Sequence, residues 1–358
     1  MRSPPRRKAI SEWLPNEIMN EIFQVASRAD QAALCRISRL FHALCLAVLY
    51  RVVHLQTDAS LVAFCSAILS NSALPELVRS FTVIAESETW RISIEGWQLL
   101  KNSLKTLIRL EHLSFDAADT PGLFRCTFPH LVSCILGIGH WTSTERENSA
   151  ASFLLRHPAL KSLDLLYPLD VRPTATARIP LLHLQRLRCP FRIVPGIEAR
   201  CLEFARLDWE FGEEANDLEA IIVALKSMTH RDVPFICAND DCDDYFPEIL
   251  ASISRNIPYT KTLQMSMILL PQEHARSEII SHFTNYLPRF TSLLFLSLDV
   301  SFDCFGTNDA EDQISVQGLG DVCSTLVGCC LSGNAWRKVS GTWEKYPLEE
   351  FMALAGID

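Results

Sequence analysis

Along residues 12–55 apolar side chains recur three and four positions apart, so the stretch reads as a set of short amphipathic helices. Ile18, Met19, Ile22, Phe23 and Ala26 form the first stripe. Pro15 suits a first helical turn, where its missing N–H costs nothing, and Glu17 suits the positive end of the helix dipole. Asp30 is the expected N-cap of a second helix. Leu34, Ile37, Phe41, Leu44 and Val48 continue the period across a break near Ser38. Three helices in roughly 40 residues cannot bury all of these stripes against one another. Part of the apolar surface is left for a partner.

Beyond residue 55 the pattern changes. Segments spaced Leu-x-x-Leu-x-Leu, or nearly so, occur at Leu110 to Phe115, Leu131 to Leu136, Leu160 to Leu165, Leu184 to Leu187, Phe204 to Trp209, Leu263 to Met267 and Leu293 to Leu298. Their intervals, roughly 20 to 35 residues, are those from which solenoids are built. Stretches of helical period lie between them, among them Leu61 to Leu69, Trp97 to Ile108, Leu218 to Met228, Phe246 to Ile253, Ile279 to Leu287 and Leu319 to Cys330, the last placing Cys329 and Cys330 on a helix. Strand then helix, repeated, predicts an α/β solenoid over 56–358, an irregular array of leucine-rich-repeat type. A doubly wound α/β sheet also alternates strand and helix. The recurrent leucine spacing favours the solenoid, and so does the lack of a Gly-rich loop after any strand.

The alternation names a surface as well. If Leu113, Leu163, Leu187, Leu207 and Leu296 point inward, then Glu111, His112, Lys161, Ser162, Asp164, Gln185, Arg186, Arg188, Arg206, Asp208, Ser297 and Asp299 line one exposed face. The candidate binding contacts on it are Lys161, Asp164, Arg186, Arg188, Arg206 and Asp208.

Composition narrows the function. The 358 residues are 48% hydrophobic, ample for a large core, and no uncharged apolar run reaches the ~18 residues that span a bilayer. Residues 1–11 read as a flexible basic tail without the apolar stretch of a signal peptide. Thirteen scattered cysteines, an odd number, together with the absence of any Asn-x-Ser/Thr sequon, favour reduced thiols in cytoplasm or nucleus. A net charge of -9 argues against nucleic acid as the partner. No nucleotide-binding, metalloprotease or nucleophile-elbow motif is present, so no catalytic residue and no cofactor is expected. Cys126, His130 and Cys134, with His140 nearby, make the best metal candidate, but Cys134 falls where the repeat wants a buried Leu, so no metal is expected. The acidic run Asp240-Asp241-Cys242-Asp243-Asp244 fails the calcium-loop test, with Asp244 and Leu250 where Gly and Glu would stand.

The order Leu14-Pro15-x-Glu17-Ile18, Ile22-Phe23, Leu34, Ile37-Ser38-Arg39-Leu40-Phe41 and Leu49-Tyr50-Arg51 resembles the F-box of substrate receptors in cullin-RING ubiquitin ligases, most closely the version common in fungi. Ser38 and Phe41 stand where the family more often has Cys and Trp. The resemblance covers residues 12–55, about an eighth of the chain. It implies a three-helix F-box in which Leu14, Pro15, Ile18, Ile22, Phe23, Leu34, Ile37, Phe41 and Leu44 pack on a Skp-type adaptor, and through it on a cullin. It also implies a following leucine-rich-repeat array that binds a protein substrate, so the chain is expected to be a non-catalytic substrate-recognition subunit. The alternative is a leucine-rich interaction scaffold that recruits no cullin.

Overall fold

A computed structural model describes residues 15–84, 92–116, 123–137, 144–166, 178–209, 218–229, 235–239, 246–268, 276–301 and 309–357. These form a mixed α/β protein with eleven α-helices and parallel sheet, in two compact units: Met1–Ala117 with Cys126–Leu131, and Ala118–Arg125 with Val132–Asp358. The boundary expected at residue 55 falls inside the first unit.

The first unit opens with α1 (Asn16–Val25), α2 (Arg28–Leu34) and α3 (Arg39–Arg51). Small hydroxyl side chains start two of them: Ser27 Oγ accepts from Asp30 N–H, and Ser38 Oγ accepts from Phe41 N–H, each at 3.2 Å. The cap of α2 is therefore Ser27, not Asp30, whose carboxylate sits in the first turn and accepts from the Ser27 hydroxyl at 2.7 Å. Gln31, 6% exposed, donates to the Phe23 and Ala26 carbonyls at the end of α1. Then follow β1 (Val52–Leu55), α4 (Asp58–Ser70), β2 (Ser80–Ile84), α5 (Ile94–Leu104) and β3 (His112–Asp116), with the strands paired in parallel in the order β1-β2-β3.

The second unit contains β4 (Ser133–Gly137), α6 (Thr144–Leu155), β5 (Ser162–Leu166), β6 (Ile179–Pro180), β7 (Arg186–Pro190), β8 (Ile197–Glu198) and β9 (Phe204–Trp209). It continues through α7 (Leu218–Met228), β10 (Phe235–Asn239), α8 (Phe246–Asn256), β11 (Thr262–Ile268), α9 (Arg276–Tyr286), β12 (Phe295–Ser301) and α10 (Asp309–Val322). Strands β4, β5, β7, β9, β10, β11 and β12 pair in parallel in that order, while β6 and β8 form a small pair of their own. In neither unit does the order of described strands reverse, as a doubly wound sheet requires.

Among the described residues one buried triplet recurs nine times: Val78-Phe81-Val83, Leu110-Leu113-Phe115, Leu131-Cys134-Leu136, Leu160-Leu163-Leu165, Leu184-Leu187-Cys189, Leu202-Ala205-Leu207, Thr260-Leu263-Met265, Leu293-Leu296-Leu298 and Leu326-Cys329-Leu331. Every member is at most 2% exposed. The polar one, Thr260, donates its hydroxyl to the Ile257 carbonyl at 2.9 Å. In six of the triplets, those beginning at Leu110, Leu131, Leu160, Leu184, Thr260 and Leu326, the first member closes a tight turn by donating its N–H to the carbonyl three residues back, and in all nine the other two are inward positions of the strand. At the start of a strand a single carbonyl on its neighbour accepts from two successive N–H groups: Arg79 O from Glu111 and His112, Lys161 O from Gln185 and Arg186, Gln185 O from Glu203 and Phe204, Leu294 O from Val327 and Gly328. This shared acceptor lets the residue before the strand and the first strand residue both avoid the core, which is why Glu111 beside His112, and Lys161 beside Ser162, can line one side.

The C-terminal segment departs from expectation. α10 ends at Val322, and Cys329 and Cys330 lie on β13 (Gly328–Leu331), not on a helix. β14 (Asn334–Val339) and β15 (Thr342–Tyr346) follow antiparallel, joined by the two-residue turns Ser332-Gly333 and Ser340-Gly341, all four at positive φ. This is the hairpin geometry that matches strand twist. The last helix, α11 (Leu348–Ala355), ends at Gly356 in the left-handed region.

Candidate functional site

Two surfaces carry the residues singled out from sequence, one in each unit. In the first, α1 divides its apolar side chains between two faces. Met19 and Phe23, each 3% exposed, pack with Cys45 at 0%, backed by Leu34, Cys35, Phe41, Leu44 and Val48. The Phe23 and Phe41 rings meet edge to face at 5.3 Å. On the opposite side Ile18, Ile22 and Val25, at i, i+4 and i+7, are 41, 47 and 86% exposed, and Ile37 and Leu40 are exposed on the turn and helix that follow.

Of the nine residues expected at the adaptor contact, Pro15, Ile18, Ile22 and Ile37 are exposed. Leu34, Phe41 and Leu44 are half-buried against the internal cluster, and Phe23 belongs to that cluster. Leu14 lies outside the described residues. Val25 and Leu40, also exposed, fall outside the nine, although Val25 continues the period of Ile18 and Ile22. Burial and the neighbouring Cys35 raise the Cys45 thiol to about 11, which keeps it protonated inside the module.

In the second unit the parallel register gathers four of the six candidate substrate residues. Asp164 on β5, Arg188 on β7 and Arg206 on β9 are successive register partners, and Asp208 lies two residues along β9 on the same face. The Asp208 carboxylate accepts from Arg188 Nε through one oxygen and from Arg206 Nε through the other, both at 3.3 Å. Arg188 Nε stands 3.8 Å from Asp164 Oδ1, an ion pair without hydrogen-bond geometry, so that buried oxygen has no donor. Burial raises the Asp164 carboxyl to about 6, with Arg188 and Arg206 opposing and Asp208 reinforcing the shift. Arg186 lies two residues back along β7 with its guanidinium 4.4 Å from the centre of the Phe204 ring. Lys161 precedes β5 and is exposed.

The expected exposed face does not extend unbroken to β12. α11 lies over the first strand residues: Phe351 meets Phe295 edge to face at 6.0 Å, Thr262 Oγ1 donates to the Ala355 carbonyl at 2.8 Å, and Phe204 packs on the same cluster. Ser297, expected outside, is 4% exposed, whereas Asp299, two residues further, is open. The signals that could have revealed this cover are the two Ser-Gly turns and the apolar face of 348–357.

Several other candidates resolve into structure. Cys126 and Cys134 are buried at 3 and 0%. Glu219 on α7 binds α8, accepting from Ser252 Oγ at 2.6 Å and Asn256 Nδ2 at 2.7 Å. His140, Glu210, Glu213, Glu214 and the run 240–244 lie outside the described residues. Among the described residues no group of three His, Cys, Asp or Glu could hold a metal ion, and no helix is long and apolar enough to cross a membrane. Compared with protein-family models and with curated proteins, the chain finds no match.

Proposed function

We propose that this chain is a non-catalytic substrate-recognition subunit of a cullin-RING ubiquitin ligase, docking a helical Skp-type adaptor through residues 12–55 and a protein substrate through the polar face of its parallel sheet. The observation that carries this reading is the divided α1. A three-helix module whose Met19, Phe23 and Cys45 already form an interior still exposes Ile18, Ile22, Val25, Ile37 and Leu40. An apolar stripe of this kind, on the residues that resemble an F-box, fits the apolar groove of a helical partner. The nine-fold buried triplet and the shared-carbonyl start of the strands support the companion reading that 56–358 is an irregular leucine-rich-repeat solenoid.

In this role the chain supplies proximity: it holds the substrate near a ubiquitin-transfer centre carried by other subunits. The test is pull-down of the full chain with the adaptor alone, then with adaptor and cullin together. Ile22→Asp should abolish adaptor capture, because a charge at an apolar contact loses the contact and adds a desolvation penalty. Retention of the adaptor by that variant rejects the reading. Capture of the adaptor without the cullin would favour the scaffold alternative.

A further inference from the structure

In-register neighbours in a parallel sheet stand about 4.8 Å apart, so Arg188 and Arg206 set two like charges side by side, an arrangement that costs stability when nothing lies between them. Here Asp208 lies between them, and both guanidinium groups use only their Nε to reach it. Among the described residues no oxygen accepts from the Nη atoms of either arginine, and the side chains are 34 and 31% exposed. The result is a pair of anchored guanidinium forks, aligned by a common carboxylate and unfilled at their outer ends. A planar guanidinium fork matches the oxygens of a carboxylate or phosphate two at a time.

We infer that Arg188 and Arg206 form an oxyanion-recognition site for a single phosphomonoester or carboxylate side chain on an extended segment of a protein partner. This rests on the reading of the sheet face as the substrate surface and gives that surface its ligand class. The flanking acids narrow the choice. Asp164 is the register partner of Arg188 on one side and Asp208 lies on the other, so the cluster tolerates one localised anion and repels a chain of them. With a net charge of -9 on the whole protein, a polyphosphate backbone is the poorer fit. Arg186, stacked on Phe204 at the edge of the α11 cover, adds positive potential two residues away along β7.

The experiment follows the Nε–Hε resonances of Arg188 and Arg206 in the full chain at pH 7.5 and fixed ionic strength. Three probes are titrated: acetyl-Gly-phosphoserine-Gly-amide, the same peptide with Glu in place of phosphoserine, and inorganic phosphate. Saturable shifts on both arginines with at least one peptide are expected, together with a loss of affinity of tenfold or more in Arg188→Gln and in Arg206→Gln. Asp164→Asn should bind about threefold or more tightly, because a repelling charge has been removed at short range. That gain cannot arise from a poorly folded variant.

Tighter binding of the phosphoserine peptide assigns the site to phosphomonoesters, and comparable binding of the Glu peptide assigns it to carboxylates. Shifts linear in probe concentration, shifts unaffected by the arginine substitutions, or weaker binding by Asp164→Asn would overturn the site. So would response to inorganic phosphate with neither peptide binding, or tighter binding of a single-stranded oligonucleotide than of either peptide. Adaptor capture is measured separately, so a failed titration beside a positive pull-down rejects this site and leaves the receptor reading standing.

Discussion

Thr262, the first residue of a central parallel strand, donates its hydroxyl to the carbonyl of Ala355 at the end of the last helix, 2.8 Å away in space and 93 residues away in sequence. Both groups are buried. The bond pins α11 across the starts of β11, β12 and β13, and Phe351 fills the remaining space against Phe295 and Tyr346. The C-terminal helix thereby covers the first residues of these strands, while Asp299, further along β12, stays open.

Removing that hydroxyl should loosen the cover. Thr262→Val keeps the shape but leaves the Ala355 carbonyl without its donor, at a cost of about 1–3 kcal/mol, and Phe351→Ala should cost about 3–5 kcal/mol by emptying the cluster. Urea denaturation measures both. If Phe351→Ala changes stability by less than about 1 kcal/mol, the cluster does not hold the helix as described.

α10 offers a paired contrast between two glycines. Ala is favoured over Gly inside a helix by about 1 kcal/mol, and at Gly318 nothing lies within 4 Å of an added Cβ, so Gly318→Ala should stabilise the protein by about 0.5–1 kcal/mol. At Gly320 an added Cβ would come within 2.6 Å of the Trp343 ring, whose own burial prevents an easy retreat. Overpacking then outweighs propensity, and Gly320→Ala should lose about 1–3 kcal/mol. Equal melting temperatures for the two variants would contradict the close approach.

The first-unit surface predicts another division between neighbours. Phe23→Ala should destabilise by about 3–5 kcal/mol, since the ring is inside the module, whereas Ile22→Asp, on the exposed face, should stay within about 0.5 kcal/mol of the parent. Thermal melts of the two proteins decide the matter, and a large loss in Ile22→Asp would show that this face is packed, not open.

The Asp164 carboxyl makes stability depend on pH in a definite sense. Its pKa is about 6 when folded, against an ordinary 3.8, so between those values the folded chain keeps a proton that the unfolded chain has released. The contribution is most favourable at low pH and is lost as pH rises from about 4 to about 6. Asp164→Asn removes the effect, and the advantage of Asn over Asp should be larger at pH 7.5 than at pH 4.5 by on the order of 1 kcal/mol. Denaturant midpoints for both proteins at the two pH values give the comparison; a constant difference would place Asp164 in a solvated setting.

The sequence by itself determined the parts of this protein that rest on local chemistry. The apolar period defines the three N-terminal helices, although the cap of the second is Ser27 and not the expected Asp30, and the Leu-x-x-Leu-x-Leu spacing locates seven strand segments. Two further triplets, Val78-Phe81-Val83 and Leu326-Cys329-Leu331, escaped because Val, Phe and Cys fill leucine sites, and the Cys329 and Cys330 strand was masked by a helical period running through Val322. The inward set at β9 is Leu202-Ala205-Leu207, where Ala205 gives no apolar signal of its own.

Only the tertiary structure decided which of these pieces touch. α11 covers Phe204, Thr262, Phe295 and Gly328, four residues on separate strands that become one row when parallel pairing fixes their register. Arg188 and Arg206 become neighbours for the same reason, and Asp208 can bridge them because it stands two residues beyond Arg206 on the same face. Which face of α1 is buried was likewise settled by packing, with Phe23 turned toward Phe41 and Ile22 turned away. Caps and periods act within a few residues, whereas cross-strand adjacency depends on loop lengths and register summed over tens of residues. Local pattern therefore names the elements, and only their assembly places charge beside charge.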